Sequence, residues 1–263
     1  MWLEYLNELL AVGAIFCLAA ILTQGIAPKW WRSDKFAEHI TNAKFFFFDS
    51  LLVLPVLILL SSGISHRMPR LLDVQHYGLP WAAEFLIAVF FSDIAGYWRH
   101  RILHMPAFWL SHAVHHSDRH VHWLTTIRIH PIERIFTVVF DSAMLSAIGV
   151  GPEFVVTNNL LRHYYGYLEH ADLGVTLGKL RYVFATPHFH RWHHSMEERA
   201  HDKNFAVIFS FIDVAFGTFY CPTERSRHCG VADIPSRQSF LRLLALPFQL
   251  NRARREPSAV GVE

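Results

Sequence analysis

The stretch HRILHMPAFWLSHAVHH, residues 100–116, places five histidines in two consecutive patterns, H-x-x-x-H and H-x-x-H-H. Residues three or four apart lie on one face of an α-helix, so each pattern turns its imidazoles into one small volume. The stretch HRWHH, residues 190–194, repeats the second pattern, and His170 stands apart between the two stretches. The sequence therefore predicts helices that bring imidazoles together around metal ions.

The repetition of this pattern exceeds what composition alone produces. The chain has 19 histidines in 263 residues, and a shuffled sequence of that composition would hold roughly 0.1 H-x-x-H-H patterns. Neighbouring protonated imidazoles repel one another, whereas a metal ion keeps them neutral and gives each lone pair a partner. We interpret the histidines as metal ligands rather than as unrelated surface side chains.

Composition and hydropathy favour an integral membrane protein that forms a single domain over residues 1–263. Apolar residues make up 52% of the chain and charged residues 17%. This composition favours a membrane protein over a soluble one. Crossing a bilayer takes roughly 20 apolar residues. Within residues 9–98 we predict three transmembrane helices, at residues 9–27, 45–64 and 79–98.

The charges and the position of His170 suggest how the remaining chain is arranged. Lysines and arginines are denser between the first two predicted spans than between the next two, which places the histidines on the cytoplasmic side. Since His170 must return to that side, residues 135–169 are predicted to form a membrane helical hairpin. Residues 99–134 and 170–220 then form a cytoplasmic histidine-rich cap, and residues 221–263 a tail.

The predicted fold is therefore all-α: a membrane bundle of about four membrane-entering helices beneath a helical cap. The formal net charge of +2 gives no broad basic face, and we expect no nucleic-acid partner.

The donor type narrows the identity of the metal. Imidazole suits iron, copper, zinc or nickel, and calcium and magnesium require oxygen ligands. Eight or nine histidines are too many for one zinc ion, whose structural sites close with four ligands. Two ions that share a cavity and keep positions open fit the number better, and redox chemistry is favoured over hydrolysis because dioxygen binds at open positions on iron.

The histidines belong to a longer ordered series of motifs that covers roughly residues 85–220. The series reads Asp93-x-x-x-Tyr97-Trp98-x-His100-Arg101-x-x-His104, His112-x-x-His115-His116, Arg128-x-His130-Pro131-x-Glu133, Thr186-Pro187-x-x-His190-Arg191-Trp192-His193-His194, Asn204-Phe205 and Asp213-x-x-Phe216-Gly217-Thr218. It resembles the fatty acid hydroxylase, or sterol desaturase-like, superfamily. These motifs are specific for the superfamily and poorly specific for its substrate.

The resemblance implies an integral membrane, non-haem di-iron oxygenase that uses dioxygen and electrons to hydroxylate or desaturate a lipid C–H bond. The implied ligands of two iron ions are His100, His104, His112, His115, His116, His190, His193 and His194, and His170 resembles the isolated histidine of the family. Glu169 stands where glutamine is common, and Ala206 where glycine is common. The first departure bears on hydrogen bonding to a ligand, and the second on a turn.

Four further residues are candidates for an additional ligand or for a partner of a ligand. His130 precedes a proline, which biases it away from helix, and we favour a role beside Glu133 or Arg128 rather than as a ligand. His163 lies seven residues before His170 and so shares its helical face. Asp93 lies seven residues before His100, and we expect it to accept a hydrogen bond from a ligand imidazole. Four histidines fit no ligand spacing and are predicted to be exposed or interfacial, namely His120, His122, His188 and His201.

The leading functional hypothesis is a di-iron lipid hydroxylase or desaturase, with the lipid and its reacting carbon left open. A histidine-rich membrane metal-binding or metal-transport protein is the alternative. A zinc hydrolase is disfavoured because the sequence lacks H-E-x-x-H. It also lacks fingerprints for flavin, nicotinamide and haem, so electrons are expected from a separate ferredoxin or cytochrome with its reductase.

Overall fold

The structure is a computed structural model that describes residues 34–65 and 67–249. The named elements of these residues are α-, 3₁₀- or π-helices, and an isolated β-bridge joins Ser195 to Cys229. The predicted segment at 9–27 lies outside the described residues. The α-helices are α1 (Asp34–Phe48), α2 (Leu54–Ser65), α3 (Trp81–Leu103), α4 (Trp109–His116), α5 (Pro131–Ile148), α6 (Pro152–His170), α7 (Pro187–His193), α8 (Phe211–Ala215) and α9 (Phe240–Gln249).

Two of the predicted transmembrane segments fall within long helical stretches. Residues 45–64 run from α1 through a π-helical turn, Asp49–Val53, into α2. Residues 79–98 fall almost wholly in α3, which continues past them to Leu103 and so carries His100. The all-α fold is confirmed for the described residues, and the membrane bundle stays a prediction.

Within the described ranges, no helix combines the length and the apolar character needed to cross a bilayer.

The predicted hairpin at 135–169 consists of two helices that are splayed apart. Proline at the first position starts both α5 and α6, where its missing N–H costs nothing. Gly149 ends α5 at φ +72°, and a Cβ at this position would lie 2.6 Å from the Cα of Asp73, so glycine is required. Both helices pack on α3 rather than closely on each other, and a cavity of about 940 Å³ has walls from both. That residues 135–169 form a hairpin within a membrane stays a prediction.

Two apolar clusters hold the helices around this cavity. Ala88 of α3 packs with Leu145, Ile148 and Phe154 of α5 and α6. Phe45, Val114 and Leu243 join α1, α4 and α9 on the other side. Helix α9 lies in the segment that we predicted to be a tail, and it packs on α4. Burial of these apolar side chains removes them from water, and the packing of α1 and α9 holds α4 in place.

A buried arginine also fixes the end of α4. Arg128 is 1% exposed and donates to the carbonyl of Val114 at 3.1 Å and to the hydroxyl of Ser117 at 2.8 Å. Its charge is paired with Glu38 of α1. A buried charge is tolerated when it is paired and hydrogen-bonded, and here the bonds tie the last turn of α4 to α1. Three of the motif histidines lie on the helix that is held in this way.

Candidate metal centre

Nine histidines predicted as ligands come together in the structure as two adjoining clusters. The five-histidine cluster consists of His100, His104, His112, His116 and His193, whose nearest ring nitrogens all lie within 4.8 Å of one another. The four-histidine cluster consists of His115, His170, His190 and His194, with the same limit on separation. Helices α3, α4, α6 and α7 supply these side chains or end immediately before them.

Helices α4 and α7 each divide their histidines between the two clusters. In H-x-x-H-H, the first and last positions are about 40° apart around a helix, and the middle histidine lies about 60° to the other side. Accordingly His112 and His116 of α4 join the five-histidine cluster while His115 joins the other. Helix α7 does the reverse, since His193 alone joins the five-histidine cluster. The repeated motif therefore builds two neighbouring sites, and the rings of His116 and His194 lie 4.5 Å apart across their boundary.

Hydrogen bonds on the outer side of several rings decide which nitrogen faces inward. A backbone carbonyl can only accept, so the Nδ1 atoms of His100 and His193 donate to Phe205 and Lys203, at 2.9 and 2.8 Å. Likewise His170 Nδ1 donates to the carbonyl of Gly166 at 2.7 Å. In a neutral imidazole the other nitrogen then carries the lone pair. The Nε2 atoms of these rings are therefore oriented as ligands.

The inward nitrogens are spaced as donors around an ion. The Nε2 atoms of His100 and His112 are 3.1 Å apart, and those of His170 and His190 are 2.9 Å apart. Two nitrogens about 2.1 Å from one metal and at right angles to each other would be about 3.0 Å apart. Among the described residues, the buried Nε2 atoms of His104 and His193 have no hydrogen-bond partner. The donor chemistry, the spacing and these orphaned atoms all fit a pair of metal ions.

Burial keeps these imidazoles neutral over the physiological range. Loss of water lowers the pKa of His112, His116 and His194 well below 6.5, and repulsion from neighbouring imidazoles adds to the shift. Burial also lowers the pKa of His170, to about 4. Neutral imidazole is the form that binds metal, so both clusters are in a ligating state at pH 7.

Two carboxylates approach the five-histidine cluster from outside. Glu133 Oε1 accepts from His112 Nδ1 at 2.9 Å, and Asp202 Oδ1 accepts from His104 Nδ1 at 3.1 Å. Burial raises the pKa of Glu133 to about 8, and a bound cation would oppose that shift. Carboxylates in this position fix ring orientation and increase the basicity of a ligand. Glu133 was a sequence candidate, whereas Asp202 was missed because no helical spacing relates it to His104.

The structure gives Asp93 a different partner from the one we predicted. Its carboxylate accepts from the backbone N–H groups of Ile208 and Phe209, at 3.1 and 2.7 Å, and from Arg162 at 2.8 Å. Buried backbone donors need acceptors, and the carboxylate of Asp93 is the acceptor for this loop and for Arg162. The expectation that Asp93 orients an imidazole directly is wrong. It holds the loop that follows Phe205, whose carbonyl orients His100.

The other candidate histidines lie outside both clusters. His130 accepts from the N–H of Ile132 at 3.1 Å and so caps α5, while His163 lines the cavity. None of the four histidines without ligand spacing joins a cluster either. His122 and His188 are buried rather than exposed, and each has a polar partner, Asn42 and the carbonyl of Pro222 respectively.

The cavity between α5 and α6 reaches both clusters. Its volume is about 940 Å³, and its walls include His100 and His112 from one cluster and His115, His170 and His190 from the other. Away from the histidines the lining is mixed: it is apolar at Leu57, Ile127, Val138 and Val155 and charged at Arg99, Asp141 and Arg162. Arg99 Nε lies 2.9 Å from Asp141 Oδ1. A space of this size and mixed polarity is suited to an amphiphilic ligand.

Fold and site together define a helical protein with two adjoining histidine clusters at the end of an amphipathic cavity. The fatty acid hydroxylase family model matches residues 85–218, about half of the chain, and the chain belongs to that family. The resemblance inferred from the motifs is confirmed. The matched region contains all nine clustered histidines.

Curated relatives include lipid-modifying enzymes. The chain is 30% identical over 153 residues to an alkylglycerol monooxygenase from Caenorhabditis elegans, covering 57% of this chain and 29% of the relative. It is 27% identical over 179 residues to the ornithine lipid hydroxylase OlsE of Rhizobium tropici, covering 67% and 54%. The alkylglycerol monooxygenase of Homo sapiens is 26% identical over 183 residues, covering 63% and 41%. The chain thus spans between about a third and about half of these relatives' lengths. No solved structure matches the chain.

Proposed function

We propose that the protein is a membrane-bound di-iron oxygenase that hydroxylates, or desaturates, a C–H bond of a lipid. This proposal rests on the nine imidazoles that form two adjoining clusters in the wall of the cavity. The proposed ligands are the nine histidines of the two clusters. Membership of the fatty acid hydroxylase family and the similarity to an alkylglycerol monooxygenase and to an ornithine lipid hydroxylase support a lipid substrate.

The five-histidine donor set favours iron over zinc. The five-histidine cluster offers one donor more than the four of a closed tetrahedral zinc site, and the absence of carboxylate among the clustered donors disfavours calcium and magnesium. Two bound irons would supply the reductive activation of dioxygen, which no amino-acid side chain can provide. We propose that the electrons come from an external ferredoxin or cytochrome and its reductase.

The side chains around the clusters would bind and orient the substrate. His100, His112 and His190 form part of the cavity wall, so a lipid in the cavity would present one of its carbons beside the metal ligands. Apolar walls would exclude water from the alkyl part. The charged pair of Arg99 and Asp141 provides donors and acceptors for a polar headgroup. A lipid with a polar head therefore suits the cavity better than a hydrocarbon without one.

The proposal is tested by metal content and lipid chemistry together. Purified in detergent, the protein is expected to contain about two irons per chain and to consume dioxygen with lipid and reductant. Lipid profiles of cells that express the native chain are compared with those of His193→Ala, which lacks one clustered imidazole. His228→Ala removes an exposed histidine outside both clusters and is the matched control.

A new oxidised lipid that appears with the native chain and with His228→Ala, but not with His193→Ala, is expected. One zinc per chain with no iron, and no oxidised lipid, would refute the oxygenase. Bound metal that moves across vesicles in place of lipid oxidation would favour the metal-transport alternative.

A further inference from the structure

A patch of apolar side chains lies on the surface beside the segment that leads into α7. We name it the interfacial patch; it comprises Leu177, Leu180, Tyr182, Phe211, Val214 and Phe216, whose exposed fractions run from 37% to 55%. Large exposed apolar patches on proteins mark interaction sites, whereas single exposed apolar residues need no explanation. Leu177 has a φ of +53°, a conformation that strains a residue with a branched side chain. The turn therefore presents leucine to the outside at a conformational cost.

The patch is continuous with the outer face of α3. The ring of Phe216 lies 5.2 Å from that of Trp98, and the ring of Phe211 lies 6.2 Å from that of Phe90. Phe90 and Trp98 belong to the segment predicted at 79–98 to lie in the membrane. The two parts of the patch are also joined, because the Ser210 hydroxyl donates to the carbonyl of Arg181 at 2.7 Å.

The charges of the patch have one sign. Residues 173–184 include Lys179 and Arg181 and no acidic residue. The acidic residue of the other part, Asp213, is buried and accepts from the N–H groups of Phe205 and Ala206, so its carboxylate does not face outward. Apolar and aromatic side chains flanked by cations are typical of a surface that lies in the headgroup layer of a membrane with anionic lipids. A second copy of this chain is a less suitable partner, because it would place its own Lys179 and Arg181 against these cations.

We propose that the interfacial patch is a membrane contact that inserts into a leaflet containing anionic lipid. Phe184 lies next to the patch, and α7 begins three residues later at Pro187, so the contact would hold the segment that carries His190 and His193 against the bilayer surface. This inference rests on the proposed lipid substrate, because it places the histidine clusters beside the membrane from which such a substrate would come.

The test measures the depth of residue 180 in proteoliposomes. Leu180→Cys is introduced into a chain with Cys17, Cys221 and Cys229 changed to serine, and labelled with an environment-sensitive fluorophore. Arg199→Cys is the matched control because the Arg199 side chain is 80% exposed and lies outside the patch. The vesicles contain zwitterionic and anionic lipid, and quenching by brominated lipid is compared with quenching by aqueous iodide. The parent chain without either new cysteine gives the background.

We expect the label at position 180 to be quenched by brominated lipid and to be at least about fivefold less sensitive to iodide than the label at 199. Lys179→Glu with Arg181→Glu is expected to reduce the brominated-lipid quenching at least about twofold in anionic vesicles and to have little effect in zwitterionic ones. Equal iodide quenching at both positions would overturn the proposal. Protection from iodide without quenching by lipid would overturn it too, by indicating a protein contact.

Iron content and lipid oxidation are measured on the same preparations. A label at 180 exposed to water in a sample that holds iron and oxidises lipid would refute the membrane contact and leave the proposed oxygenase standing. If the cysteine-free chain loses iron, the labelling is repeated in a chain that keeps Cys221 and Cys229, because their thiols are buried.

Discussion

The two histidine clusters have similar donors but differ in how their rings are held. In the five-histidine cluster, the outer nitrogens of His100 and His193 donate to backbone carbonyls, and those of His104 and His112 meet carboxylates. In the four-histidine cluster, His170 is held by the carbonyl of Gly166.

The remaining rings of the four-histidine cluster are held less firmly. Among the described residues, Nδ1 of His190 and Nδ1 of His194 have no hydrogen-bond partner. Glu169 Oε1 lies 3.7 Å from His190 Nδ1, beyond hydrogen-bond distance. Outer hydrogen bonds fix ring orientation before a metal arrives. The five-histidine cluster is therefore preorganised, whereas the rings of the four-histidine cluster depend on a bound ion for their orientation.

Removal of one ligand from each cluster gives the largest expected effect. His194→Ala leaves three imidazoles in its cluster, whereas His104→Ala leaves four in the other. We expect His194→Ala to reduce iron from about two to about one per chain and to abolish lipid oxidation, and His104→Ala to retain more iron. Metal analysis by mass spectrometry, with His228→Ala as control, measures the difference. Equal iron in both variants would remove the distinction between the clusters.

Chelation tests the same difference in the native chain. We expect iron to leave in two kinetic phases with rates that differ about tenfold, because the cost of losing outer partners is about 10- to 100-fold in metal affinity. The faster phase should disappear in His194→Ala, whose weaker site is already empty. A single phase that releases both ions together would show that the two sites are equally stable.

Glu133 provides a test of preorganisation by a single hydrogen bond. Glu133→Ala removes the acceptor 2.9 Å from His112 Nδ1, and we expect iron at the five-histidine cluster to be bound about 10- to 100-fold more weakly. Glu133→Gln keeps an acceptor oxygen and should recover most of the affinity. Competition with a chelator of known affinity gives the numbers. Identical behaviour of alanine and glutamine variants would indicate a packing effect instead.

Acid should destabilise the metal-free protein through the histidines. Burial lowers the pKa of each clustered imidazole below 6.5, including His100, His115 and His190. Below that pH the unfolded chain binds more protons than the folded chain, so stability is present above about pH 6.5 and decreases as the pH falls, by up to about 1.4 kcal/mol per pH unit for each such group. Buried carboxyls whose pKa is raised, Glu133 to about 8 and Asp213 to about 6 among them, have the opposite sign, but they are fewer than the nine clustered histidines.

Denaturant unfolding of the metal-free protein at pH 8, 6.5 and 5.5 measures this dependence. Iron loading should move the loss of stability to lower pH, since bound metal competes with protons. Stability that rises between pH 6.5 and 5.5 would contradict the burial of the imidazoles.

Asp202→Asn should have the smallest effect of this series. Asp202 is exposed, with 75% of its side chain accessible, although its carboxylate accepts from His104 Nδ1 at 3.1 Å. Asparagine offers an acceptor oxygen at the same place, and solvent screens the lost charge. We expect a decrease in iron affinity of less than about tenfold. A loss as large as that of Glu133→Ala would mean that the charge itself holds His104.

Sequence spacing predicted the side-chain directions that are set within a single helix. It missed the contacts between segments that are distant in sequence. The i, i+3 and i+4 spacing identified eight of the clustered imidazoles, because helical geometry sets their directions, and the family resemblance added His170. The contact between Asp202 and His104 joins residues 98 positions apart, and no periodicity reports such a pair.

The same limit applies to Asp93 and to the packing of residues 135–169. Asp93 was predicted to orient His100 because the two residues share a helical face, yet a loop more than a hundred residues later donates to its carboxylate. The required position of His170 predicted that residues 135–169 form a helical hairpin. It could not predict that both helices would pack on α3 and leave a cavity between them.

Anomalous diffraction at the iron edge, from crystals of the iron-loaded protein, locates the metal ions directly. We expect two peaks, one among the nitrogens of His100, His112 and His193, and the other among those of His115, His170 and His194. The peak in the four-histidine cluster should be the first to weaken when crystals are soaked in chelator. A single peak, or peaks away from these rings, would contradict this expectation.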